Sequence, residues 1–136
     1  MYEPIRTKSV HSMAGPEIPQ RSRTEELDIR LGGHLTALLT VTDELRALTP
    51  DATLDDAAQR LAEHAARLDG GRAPLRAEPS ARSAAREHLL SLHRRAHRLA
   101  GNALVIATSR QDRTAMALAA ERMEAHAQQL RPDLVS

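Results

Sequence analysis

Tyr2 is the only aromatic side chain in this sequence, and Phe, Trp and Cys are absent. Any core must therefore be assembled mainly from Leu and Ala, without a disulfide to support it. Alanine lets helices approach closely, but each contact buries little area, at about 25 cal/mol per Å2. A chain of this kind gains stability by interlocking many helical residues or by associating with another copy. Its 136 residues are enough for one domain with a real interior.

The periodicity agrees. From Ser80 to Arg110 an apolar stripe runs through Ala85, Leu89, Leu92, Ala96, Leu99, Ala103 and Ile106, the spacing of a bundle seam. Gly101 interrupts the composition but not the phase, so one helix is predicted over 80–109 with Ser80 as its cap. A first helix is predicted over 24–49, with Leu27, Leu31, His34, Leu38, Val41, Leu45 and Leu48 on its stripe, and Pro50 ends it. Gly32-Gly33 inside it costs roughly 2 kcal/mol against alanines and marks either a close backbone approach or a break. A second helix, 53–69, starts at Thr53 and ends at Gly70-Gly71, with Leu54, Ala57, Leu61, His64 and Leu68 inward. A linker carrying Pro74 and Pro79 follows. A fourth helix, 111–130, presents Met116, Ala119, Met123, His126 and Leu130 after a cap at Ser109.

The expected architecture is all-α: an antiparallel four-helix bundle over 24–136, preceded by an extended, flexible arm over 1–23. Leu38, Leu45, Leu61, Leu89, Leu92, Leu99, Ile106 and Met123 should form its core. The N-terminal residues lack the apolar stretch of a signal peptide, and no run is long enough to span a bilayer. A cytoplasmic location is the expectation.

Net charge is only +1, so no global field favours nucleic acid or membrane. The charge is partitioned, however. From Thr24 to Asp69 there are 10 acidic and 4 basic residues, 4 − 10 = −6. From Ser80 to Asp133 there are 9 basic and 5 acidic residues, 9 − 5 = +4. The two halves should attract one another, within one chain or between two copies of a homodimer. Arg82, Arg86, Arg94, Arg95 and Arg98 form the densest basic cluster, opposed locally by Glu87. One use for it is an acidic protein partner, with Arg94, Arg95 and Arg98 as the contact residues; the other is pairing with the acidic half. Without interleaved aromatics to stack bases, nucleic acid is a poor third choice.

No phosphate loop, dinucleotide fingerprint, nucleophile elbow or HExxH motif is present. Histidine is the residue whose placement stands out. His34, His64 and His126 fall on the predicted seams of three helices, and His93 and His97 lie four apart beside the seam of the other. An antiparallel bundle is expected to put both helix–helix turns at the same end, so that all five sit roughly 20–26 Å from that end, at 1.5 Å per residue. Imidazoles meeting from several helices suit a transition metal.

That layout resembles haemerythrin-like proteins, four-helix bundles holding a di-iron centre through one His on the first helix, HxxxE on the second, HxxxH on the third and HxxxxD on the fourth. His34 and the pair His93 and His97 match in kind and order. Leu68 stands where the second motif has Glu, and Arg131 where the fourth has Asp. The carboxylates that bridge two irons are missing, so a single zinc, nickel or copper ion is the better match to the five imidazoles. The leading expectation is a non-enzymatic interaction or regulatory bundle without a cofactor, and the alternative is a metal-binding bundle built on the histidine layer.

Overall fold

The computed structural model describes residues 17–80 and 83–131, with side chains from residue 23 onward. It contains four helices: α1 (Glu17–Leu48), α2 (Ala52–Leu68), α3 (Arg86–Arg110) and α4 (Arg113–Gln129). Among the described residues there is no strand, and the fold is an all-α bundle. No described helix is long and apolar enough to cross a membrane.

All four helix starts depart from expectation. α1 begins at Glu17 rather than Thr24, so the irregular arm expected over 1–23 is helical in its last part. Pro19 falls in the first turn, where its missing N–H has no intrahelical acceptor to lose. The remainder of the expected arm, 1–16, lies outside the described residues. α3 begins at Arg86 rather than Ser80, because Ser80 is engaged elsewhere: its N–H and Oγ both donate to Glu44 Oε2 on α1, each at 2.9 Å. Asp51, not Thr53, caps α2, accepting from the Thr53 amide at 2.8 Å. Asp112, not Ser109, caps α4, accepting from the Ala115 amide at 3.1 Å. Asp51 and Asp112 do what short acidic side chains do best at an N-terminus, satisfying an orphan amide and complementing the dipole.

The glycine expectations resolve differently. α3 runs unbroken through Gly101, as its stripe predicts. Gly32-Gly33 is neither a break nor a close approach. α1 continues through both; a methyl group at Gly32 would meet only the Leu68 Cβ at 3.9 Å, and one at Gly33 would meet nothing within 4 Å.

α1 packs closely against both α2 and α3, α3 against α4, and α2 meets α4 along a narrower seam. The order across the bundle is therefore α2, α1, α3, α4. Arg110 at the end of α3 pairs with Asp28 in the first half of α1 at 2.9 Å. His88 and Leu92, early in α3, share a groove with Val41 and Glu44, late in α1. α1 and α3 are thus antiparallel, and the two helix–helix turns lie at opposite ends of the bundle, not at one end. The linker after α2 returns along α1, held by Arg76 on Asp43 at 2.8 Å and by Ser80 on Glu44.

The core is unequal in side-chain size. α1 contributes Leu31, Leu35, Leu38, Leu39 and Leu45, all 0–1% exposed. Facing them are alanines: Ala57, Ala58 and Ala65 on α2, and Ala96, Ala100, Ala103 and Ala107 on α3. Leu38, Leu45, Leu61 and Leu92 are buried as expected, whereas Leu89, Leu99, Ile106 and Met123 are only half-buried against the core. α3 is rotated from the predicted seam so that Ala100, rather than Leu99, points inward. The physical reason is that leucines of α1 fill the space, and past Leu92 the inward positions of α3 take only methyl groups.

Two substitutions check this packing. Ala100→Leu forces extra methylenes into a filled interior and should lower stability by about 1–3 kcal/mol in urea unfolding. A neutral effect would place the seam on Leu99 instead. Gly33→Ala should raise stability by about 0.5–1 kcal/mol, since the position is helical and open; a loss would reveal a constraint that the open space at Gly33 does not show.

Candidate functional site

The five histidines do not form one layer. With the two turns at opposite ends, His34 and His64 lie toward the Asp28–Arg110 end of the bundle, and His93, His97 and His126 toward the other. Among the described residues, no group of three or more His, Cys, Asp or Glu side chains is placed to hold a metal ion. The bridging carboxylates are also missing, so the residues present do not fit a di-iron centre.

His64 is 4% exposed and has both ring nitrogens engaged. Arg67 Nη2 lies 2.9 Å from Nδ1, and Asp112 Oδ2 lies 2.7 Å from Nε2. A guanidinium only donates, so Nδ1 accepts and Nε2–H donates to Asp112. Asp112 is also the cap of α4, and His64 therefore staples α2 to the start of α4 across their narrow seam. Burial alone would raise the Asp112 carboxyl, but hydrogen bonds from His64 and the Ala115 amide outweigh it and hold the group below its ordinary value.

A second cluster joins α3 and α4. His93 Nδ1 lies 2.9 Å from His126 Nδ1, with ring centroids 5.2 Å apart. Arg122, one turn before His126, places Nη2 3.5 Å from His126 Nε2. The same donor argument orders the protons. His126 Nε2 faces the guanidinium with its lone pair, so its proton sits on Nδ1 and is donated to His93 Nδ1. His93 then carries its proton on Nε2, where no protein partner is found among the described residues. Burial, followed by the charges of Arg122, His93 and His97, pushes His126 down to about 3. Burial and Arg122 also lower His93. Both rings are neutral at neutral pH.

Arg122 is the residue that sequence reasoning missed. It is 3% exposed, and its Nε has no hydrogen-bond partner among the described residues. Its nearest carboxylate oxygen, Glu121 Oε1, lies 3.6 Å from Nη1, while both Glu121 oxygens are held by Arg60 Nη2 at 3.1 Å. The signal was present in the spacing Ala115, Ala119, Arg122, His126. It was outweighed by the Met116–Met123 stripe, because a charged residue on a seam is assigned outward by default.

Of the expected partner-binding residues, Arg94, Arg95 and Arg98 are all exposed on α3, and none forms an ion pair among the described residues. Arg82 of the same cluster lies outside the described residues. The expected general pairing of basic and acidic halves does not reach these arginines. Asp43 and Asp55 are taken by Arg46, Asp43 also by Arg76, Asp56 by Arg60 and Asp69 by Arg72. The two halves are joined instead by Asp28–Arg110, Arg60–Glu121 and His64–Asp112. No protein-family model, curated protein or solved structure matches this chain.

The neutral buried rings predict acid sensitivity with a definite sign. An unfolded histidine takes up a proton near pH 6.5, whereas folded His126 does so only near pH 3. Across that interval the unfolded state holds more protons, so stability must fall as pH drops below about 6.5. The depressed Asp112 acts in the same direction lower down, contributing above the ordinary carboxylate range and losing its contribution as pH falls through its own lowered value. Urea midpoints measured from pH 7.5 to 4.5 should decline, and His126→Leu should flatten the decline. An unchanged slope in that variant would assign the acid sensitivity to other groups.

Proposed function

We propose that this protein is a non-catalytic interaction module whose outer α3 face engages an acidic protein surface. The observation that carries this reading is the contrast among its arginines. Arg46, Arg60, Arg72, Arg76 and Arg110 each hold a carboxylate of the same chain. Arg94, Arg95 and Arg98 stand together, exposed, and hold no carboxylate among the described residues. Val105, 66% exposed, lies farther along the same face and offers an apolar contact beside the charges. Arg95 also borders a groove of about 690 Å3 between α1 and α3, floored by Ala37, Val41 and Leu92.

Three guanidiniums on a rigid helix suit carboxylates, which they bind through two parallel hydrogen bonds. With no aromatic side chain among residues 23–131, the face has nothing on which to stack bases, which favours protein over nucleic acid. The double engagement of His64 and His126 supports a structural use of the buried imidazoles rather than a catalytic one. The partner is a different protein or a second copy presenting its acidic half, and the two differ in a measurable way: only the second raises the mass of the purified protein in solution.

Exposed charges contribute little to folding, so the combined variant Arg94→Glu, Arg95→Glu, Arg98→Glu should keep its stability within about 0.5 kcal/mol. A photo-crosslinker at Val105 should capture an acidic protein, or another copy, in the parent and lose it in the variant. Raising salt from low to physiological strength should weaken the same capture. A crosslinked partner that survives the triple reversal would remove this face from the reading.

A further inference from the structure

A cavity of about 510 Å3 opens at the end of the bundle where α1 turns into α2 and α3 begins; Arg86 borders it, whereas Arg94, Arg95 and Arg98 do not. Arg122, His93 and His126 line it together with Leu54, Leu89 and Leu90. We propose that this cavity is a binding site for a small organic carboxylate, with Arg122 receiving the carboxylate and the leucines enclosing its apolar body.

The argument begins with an unmet requirement. A guanidinium carries five N–H donors and no acceptor. In Arg122 that group is almost wholly buried, its Nε has no partner, and its one hydrogen bond to a side chain is the 3.5 Å contact with His126. Burying a charge whose hydrogen bonds are incomplete is costly, and a buried polar atom left unpaired calls for an explanation. Glu121 answers the charge only in part: its Oε1 pairs with Nη1 at 3.6 Å while both of its oxygens are held by Arg60, and Nε is left without a partner among the described residues.

The neighbours show what would answer it in full. The tautomers set by Arg122 leave His93 Nε2 as a second unpartnered donor on the same cavity. A wall of donors around a fixed positive charge is complementary to an anion whose oxygens only accept. Asp51 stands on the rim as the cap of α2. Its negative charge disfavours a phosphate dianion, whereas a single carboxylate matches the single buried guanidinium. The apolar walls and the volume suit a ligand with a short hydrocarbon portion.

The full-length protein can be titrated with sodium hexanoate, hexanol and inorganic phosphate, following the His93 and His126 ring resonances and the thermal midpoint. Hexanoate should shift both rings and raise the midpoint, with half-saturation below about 1 mM. Hexanol at the same concentration should do neither, and phosphate should bind at least about tenfold more weakly. Arg122→Met keeps the stem and removes the buried charge, so it should fold with an equal or higher midpoint and lose hexanoate affinity at least about tenfold. Ala125→Leu fills the cavity without touching the guanidinium and should likewise abolish the response. Equal shifts with hexanol, phosphate binding as tight as hexanoate, or a hexanoate response preserved in either variant would each overturn the proposal.

Discussion

The packing of α1 leucines into the alanine faces of α2 and α3 is the contact on which the rest of this bundle depends. Without large aromatic residues, the interior is filled mainly by long side chains on one helix set against mostly methyl groups on those opposite, with Leu54, Leu61 and Leu92 the larger exceptions. Leu35, Leu38 and Leu45 are fully enclosed this way, and so are Ala57, Ala96, Ala100 and Ala103. This asymmetry makes α1 the central element, flanked on both sides, and leaves α2 and α4 at the periphery. The same asymmetry explains the rotation of α3. A leucine at the inward position would compete with α1 for space already filled, so the helix turns its alanines inward and leaves Leu99 at the margin.

Because α2 and α4 have little apolar surface between them, polar groups join them. His64 reaches the Asp112 cap, and Arg60 reaches Glu121. The first of these is largely enclosed, with His64 4% exposed, so its geometry matters more than that of the solvent-facing pair. Arg122 differs from both. It has the burial of a core residue, but its carboxylate, Glu121, is shared with Arg60 and its Nε has no partner among the described residues. Among the described residues, arginines short of partners therefore occur in two settings: exposed ones, among them the α3 group, are hydrated at little cost, whereas Arg122 is enclosed with its Nε unpaired.

The histidines show how topology governs a site. His93 and His97 are four apart on one helix, and their proximity to each other was legible from spacing alone. Whether His34 and His64 would join them depended on which end each turn occupies, and spacing within helices carries no information about that. The linker after α2 is long enough to return along α1, so α3 starts at the far end and the supposed layer separates into two. The departures from the haemerythrin-like pattern at Leu68 and Arg131 were visible in the chain. The use of both His64 nitrogens by Arg67 and Asp112 was not, since these contacts join residues on different helices or across a turn.

By itself the sequence determined that the chain is helical, the number of helices, and the approximate stops at Pro50, Gly70 and Pro132. These follow from local periodicity and from Pro and Gly, whose effects act within a few residues. It also determined that α3 passes through Gly101, because a continuous stripe outweighs one unfavourable residue. Only the tertiary structure decided which face of α3 points inward, that the two turns lie at opposite ends, and that Ser80 bonds to Glu44 instead of capping a helix. Burial of Arg122 belongs to the same class. Each of these depends on competition among helices for a shared interior, where the volume left by leucines on one element sets what the next can present, and no single segment encodes that volume.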